Sequence, residues 1–106
     1  MSEGQSGIAA QRVVVVNKKG LHARASAKFA KLAAQYEAPV RVSHDGVDAA
    51  GNSIMDLLLL AAHRGCEIEL RAEGVDAAQA VTALASLVAD GFGELEEDAG
   101  VSGIES

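Results

Sequence analysis

The stretch Lys18-Lys19-Gly20-Leu21-His22-Ala23-Arg24 places an imidazole two residues after a glycine and two residues before a guanidinium. A run with helical spacing follows at once, in which Ala25, Phe29, Leu32, Ala33 and Tyr36 recur every three or four residues. A helix start has N–H groups without intrahelical partners and carries a partial positive charge. Such a site receives anions, phosphates included, and disfavours imidazolium. The neutral imidazole is the nucleophilic form. Once phosphorylated, its ring would carry an anionic group that the helix amides and the fork of Arg24 can face. A His that merely caps a turn has the same local sequence, so the residues alone leave both readings open.

Ser53 is the second residue of chemical interest. Ser53 followed by Asp56 reads as a capping box at the head of a helix over residues 52–65, a cap being worth about 1 kcal/mol. That helix is apolar on too many sides. Leu57, Leu60 and Ala61 can fill a core, which leaves Ile54, Met55 and Leu58 at the surface beside Ser53. Exposed apolar clusters of this kind mark docking sites. Lys28 and Lys31, on the polar face of the first helix, would give the patch a basic rim that suits an acidic partner. His63 and Cys66 are three residues apart, but the chain offers no second spaced pair for zinc. His63 and Arg64 read as cations in the last turn of the second helix, closed by Gly65. Paired carboxylates, a nucleophile elbow and a nucleotide loop are all missing from the pattern, so neither metal nor cofactor is expected.

The elements that must position these residues follow from periodicity. Residues 12–16, Arg-Val-Val-Val-Val, read as a strand. Pro39 forbids continuation of the first helix. Residues 40–50 read as a hairpin turning at Asp45-Gly46. Residues 66–72 alternate, with Cys66, Ile68, Leu70 and Ala72 on one side. A third helix opens at Asp76, buries Ala77, Val81, Leu84 and Val88, and closes at Gly91. The order is β-α-β-β-α-β-α, an α+β class in which a four-stranded antiparallel sheet carries three helices on one face.

The chain has 106 residues, 49% hydrophobic and 3% aromatic, so one domain with an aliphatic core is expected. The net charge of −6 argues against general nucleic-acid binding. A lone cysteine, no signal-peptide core and no membrane-length apolar run suggest a cytoplasmic protein. Residues 1–11 read as a flexible extension, 12–93 as the domain and 94–106 as an acidic flexible tail.

Residues 20–26, Gly-Leu-His-Ala-Arg-Ala-Ser, resemble the active-site segment of HPr, the histidine phosphocarrier family of the phosphoenolpyruvate-dependent phosphotransferase system, with the pattern Gly-Leu-His-x-Arg-Pro-Ala. Residues 52–65 resemble the family's second signature, a Ser heading the second helix. The resemblance runs from Arg12 to Gly91. It implies an HPr-like open-faced sandwich, with His22 phosphorylated on Nδ1 by phospho-Enzyme I and Arg24 assisting. The group then passes to a histidine of an Enzyme IIA domain. It further implies regulatory phosphorylation of Ser53 by HPr kinase/phosphorylase, and docking of both partners on the patch of Ile54, Met55 and Leu58. Such a protein is a stoichiometric carrier, not an enzyme, and a monomer is the simplest form for visiting two partners. The sugar branch and the nitrogen-related branch fit equally. Ala25 stands where the family has Pro, which restores an amide donor and loosens the helix entry. The alternative is a small α+β interaction or ligand-sensing module that uses the apolar patch without phosphotransfer.

Overall fold

A computed structural model describes residues 7–96. Its elements are β1 (Ile8–Val14), α1 (Ala23–Ala33), β2 (Val40–His44), β3 (Val47–Ala50), α2 (Ile54–Leu59), β4 (Glu67–Glu73) and α3 (Ala77–Ala89). A 3-10 turn, Gly91–Gly93, follows. All pairings in the sheet are antiparallel, in the order β1-β4-β2-β3. The order and class are those expected.

Alternation sorts the two faces of the sheet. On β4, Ile68, Leu70 and Ala72 are buried while Glu67, Arg71 and Glu73 are exposed. Val40 and Val42 on β2 and Ala49 on β3 join the buried side. The helices close over that side with Ala25, Phe29 and Ala33 of α1, Leu57 of α2, and Ala77, Val81, Leu84 and Val88 of α3. Leu32, Tyr36 and Cys66 pack at the margin of this core, half-buried. The hairpin turn is as read: Asp45 and Gly46 both have positive φ, 55° and 83°, as a two-residue turn of the mirror type requires.

Two expectations are corrected. First, β1 starts at Ile8 and ends at Val14, displaced from the expected 12–16. Pairing with β4 sets its limits, from Ile8 opposite Glu73 to Val14 opposite Glu67. Residues 8–11 are therefore strand and not extension, while residues 1–6 and 97–106 of the two expected tails lie outside the described residues. Second, α2 spans Ile54–Leu59 only. Ala61 has left-handed φ, 54°, and is exposed instead of core-facing. The reason is tertiary: the carbonyl of Ala62 accepts the Leu21 N–H at 3.0 Å, and a continued helix would have kept that carbonyl for itself. His63 and Arg64 consequently sit beyond the helix, not in its last turn. Helix α3 opens at Asp76 as read, although the Asp76 side chain makes no cap bond. Its carboxylate accepts the N–H of Glu37 at 2.9 Å and of Ala38 at 2.8 Å. That clamps the exit of α1 to the entry of β2.

The bonds from Glu37, and then from Ala38, hold the Asp76 carboxyl below the ordinary Asp value. A depressed native pKa contributes stability above the unfolded value that is lost as pH falls through the native one. Replacing Asp76→Asn should lower the thermal midpoint near neutrality. The gap between the two proteins should narrow steadily as pH drops through the Asp range, which a midpoint-against-pH series checks.

Candidate functional site

The segment before α1 is set by a close approach of two loops. Gly20 has φ 64°, and a Cβ there would overlap the backbone of Ala62 and His63. Glycine is therefore required both for conformation and for space. The bond from Leu21 to Ala62 then fixes the loop, and Leu21 itself is buried. Ser26, fully buried, donates its hydroxyl to the Leu21 carbonyl at 3.1 Å. His22 becomes the N-cap residue, with extended backbone and no side-chain cap bond. Its carbonyl accepts the Ser26 N–H at 2.8 Å, which begins the helical ladder. Freed from capping, the imidazole turns elsewhere.

It turns to Glu94. His22 Nε2 lies 2.8 Å from Glu94 Oε2. Arg24 Nε lies 3.5 Å from the same oxygen. Asn17 Nδ2 donates to Glu94 Oε1 at 3.0 Å and to the Gly20 carbonyl at 2.9 Å. The Glu94 side chain is 2% exposed and that of His22 23%. Burial pushes the Glu94 carboxyl upward. Hydrogen bonds from Asn17 and His22, and the positive charge of His22 and Arg24, outweigh it, and the net displacement is downward. Glu94 is the residue of the candidate site that sequence reading missed. It stood at the head of the expected acidic tail, and the structure moves it into the site.

Glu94 reaches the ring through an unusual backbone. Gly91, Phe92 and Gly93 have φ of 66°, 57° and 75°. Phe92 is buried and anchors the turn. Lys28 Nζ donates to the Phe92 carbonyl at 2.7 Å. Lys28 thus braces the turn that delivers Glu94, whereas the sequence suggested a free rim charge. Lys31 is exposed in the last turn of α1.

An ionised carboxylate only accepts hydrogen bonds, so Nε2 carries a proton in this contact, and in the neutral ring that leaves the lone pair on Nδ1. Among the described residues, Nδ1 takes no hydrogen bond. The arrangement is a half-buried imidazole with one nitrogen held by a carboxylate and the other able to act as a nucleophile. It stands at the positive end of an 11-residue helix. The carboxylate also adds negative charge on the Nε2 side, which the reading from the helix start alone left out. Ala25 is fully buried in the first turn.

Ser53 is the N-cap of α2 and its Oγ accepts the Asp56 N–H at 3.1 Å. Asp56 does not return the bond to Ser53; its carboxylate accepts the Ala50 N–H at 3.2 Å, which ties α2 to β3. Ile54, Met55 and Leu58 are exposed as expected, at 43%, 68% and 36%, and Leu59 extends the patch at 72%. Among the described residues no His, Cys, Asp and Glu cluster could hold a metal ion, and no helix is long and apolar enough to cross a membrane.

Comparison with known proteins gives a consistent set of similarities. The family described as PTS HPr component phosphorylation site matches residues 9–90. Phosphocarrier protein HPr of Neisseria meningitidis is 45% identical over 86 residues, covering 81% of this chain and 97% of the relative. Phosphocarrier protein NPr of Proteus mirabilis is 33% identical, covering 79% and 94%. Among solved structures, HPr-C-His from Thermoanaerobacter tengcongensis matches with a TM-score of 0.78 at 34% identity, over 81% of this chain and 97% of that one.

Glu94→Gln should release the ring. Imidazole ¹⁵N shifts should report a defined Nε2–H tautomer in the parent protein and a mixture in the variant. Loss of the charged acceptor should lower unfolding stability by about 1–3 kcal/mol in denaturant titration.

Proposed function

Because the chain belongs to the HPr family, phosphocarriers of the phosphotransferase system, we propose that His22 is the residue that carries the phosphoryl group. The Nδ1 lone pair of His22 attacks phosphorus on phospho-Enzyme I. The N–P bond forms as the bond to the donor breaks and the donor keeps that electron pair. The reverse exchange delivers the group to a histidine of an Enzyme IIA domain. The observation that carries this reading is the Glu94 contact, which occupies Nε2 and leaves Nδ1 open at the start of α1.

Glu94 is a positioning residue here: it holds the tautomer and the ring orientation. Arg24 faces the same carboxylate in the unphosphorylated protein. A phosphoryl dianion on His22 offers its fork a stronger partner, bound by charge-assisted hydrogen bonds. Ser53 is proposed as a regulatory phosphorylation site for an HPr kinase/phosphorylase. Its position at a helix start tolerates added negative charge, and its neighbours Ile54, Met55 and Leu58 form the docking surface for both partners. Lys28 and Lys31 of α1 are proposed as its basic rim. The protein acts as a cytoplasmic monomeric carrier with no cofactor of its own. Matches to relatives named HPr and NPr support the sugar and nitrogen-related branches alike.

The test is intact mass after incubation with phosphoenolpyruvate and Enzyme I, before and after mild acid. One acid-labile phosphoryl group is expected, absent in His22→Ala with an unchanged circular dichroism spectrum. Arg24→Lys should slow transfer about 10- to 100-fold, the loss of one charge-assisted hydrogen bond. Acid-stable label in the Enzyme I reaction, or none at all, would overturn the His22 assignment and favour a binding module without phosphotransfer.

A further inference from the structure

The face of the sheet turned away from the helices carries one row of residues that departs from the pairing around it. Register places Ala10, Arg71, Arg41 and Ala50 side by side across β1, β4, β2 and β3. The adjacent row is Arg12, Glu69, Ser43 and Asp48. In and beside that row, polar groups find partners. Arg12 Nη1 lies 3.4 Å from Glu67 Oε1, and Ser43 Oγ donates to Asp48 Oδ1 at 2.6 Å. Arg41 and Arg71 are different. They are directly opposed on neighbouring inner strands, and among the described residues neither makes an ion pair or a side-chain hydrogen bond.

Like charges placed directly opposite one another in a sheet are destabilising. The arrangement is relieved when an oxyanion sits between the two forks, because a guanidinium presents paired N–H donors that match a carboxylate or phosphate. The flanking residues leave room for one. Ala10 and Ala50 are too short to cover the guanidinium groups from either side. The two arginines line a concavity of about 300 Å³ together with Ile8, Pro39, Ala72 and Glu73. That volume is at the small end of ligand sites. Ile8 is 64% exposed and gives the hollow an apolar wall. Glu73 puts one carboxylate at the rim, which disfavours extended polyanions and can accept a hydrogen bond from a ligand hydroxyl.

We propose that Arg41 and Arg71 form an anion-binding site for a small organic dianion, a phosphate monoester or a dicarboxylate, on the open face of the sheet. The dianion bridges the two guanidinium groups and its body rests against Ile8 and Pro39. The helices, with His22 at the start of α1, cover the opposite face of the sheet. The site is therefore independent of the phosphocarrier reading and can be filled in either state of His22.

The experiment is amide chemical-shift titration of the ¹⁵N-labelled full chain at low ionic strength with glycerol 3-phosphate, succinate and inorganic phosphate in separate arms. Saturable shifts are expected at Ala10, Arg41, Ala50 and Arg71, with Kd about 1 mM or tighter for at least one organic dianion. Added salt should weaken them. Their relative affinities tell phosphate from carboxylate recognition. Arg41→Gln and Arg71→Gln should each weaken binding about 10-fold or more, and Arg71→Lys nearly as much, since a point charge lacks the fork. Without ligand, either Gln variant should keep or raise the thermal midpoint, because a repulsion has been removed; a lowered midpoint would count against the opposed pair. The proposal falls if no shift appears by about 10 mM, if chloride reproduces the response, or if the shifts survive Arg41→Gln or centre on His22 and Arg24.

Discussion

The site is built around one carboxylate taken out of water. Burying an ionised Glu costs several kcal/mol unless charge and hydrogen bonds meet it. Glu94 is met from one stretch of chain, by Asn17 before α1, His22 at its cap and Arg24 in its first turn. Asn17 also holds the Gly20 carbonyl, so the loop that presents the imidazole and the carboxylate that orients it belong to a single network. The network is not complete: Asn17 Oδ1 is buried without a partner among the described residues. That residual cost is accepted where the amide's two donors are both committed.

The backbone has to conform to this arrangement at both ends. At one end Gly20 passes against the loop that follows α2, and α2 is cut to six residues so that Ala62 can receive Leu21. At the other end α3 gives way to a turn with three positive φ angles in succession. Gly91 and Gly93 take that conformation at no steric cost, but Phe92 does not; a left-handed non-glycine residue costs roughly 1–2 kcal/mol. Complete burial of its ring and the Lys28 bond to its carbonyl offset the strain. Leu95 fills the space where a side chain at Gly91 would lie, which excludes larger residues there.

Most of the fold was legible because it rests on local signals. Strict alternation over residues 66–72, the Asp45-Gly46 turn and the stripe of Ala77, Val81, Leu84 and Val88 each have a period that fixes which side is buried. Two of the failures share a different cause. The run of Leu57 to Ala62 has uniform helical character, and nothing within it announces that a carbonyl is needed by a loop some forty residues earlier. Glu94 looks like the first of several tail acids because its partners lie 70 or more residues away. One signal was available: two glycines bracketing a lone aromatic straight after a helix indicate a tight turn with a buried anchor, which makes the next residue positioned and not loose. The bond of Lys28 was hidden for the same reason, since its acceptor is the carbonyl inside that turn. The Gly-Leu-His-x-Arg motif, by contrast, was legible as chemistry because all its parts are contiguous.

The span between His22 and Glu94 has a consequence for biosynthesis. A chain leaving the ribosome exposes the imidazole early, whereas its carboxylate partner emerges last of the domain's residues that matter to it. A nascent or prematurely terminated polypeptide can own the entire motif and still lack the contact that fixes the ring. The contact thus doubles as a report of finished translation and folding: the ring is held only once sheet, helices and closing turn have all come together.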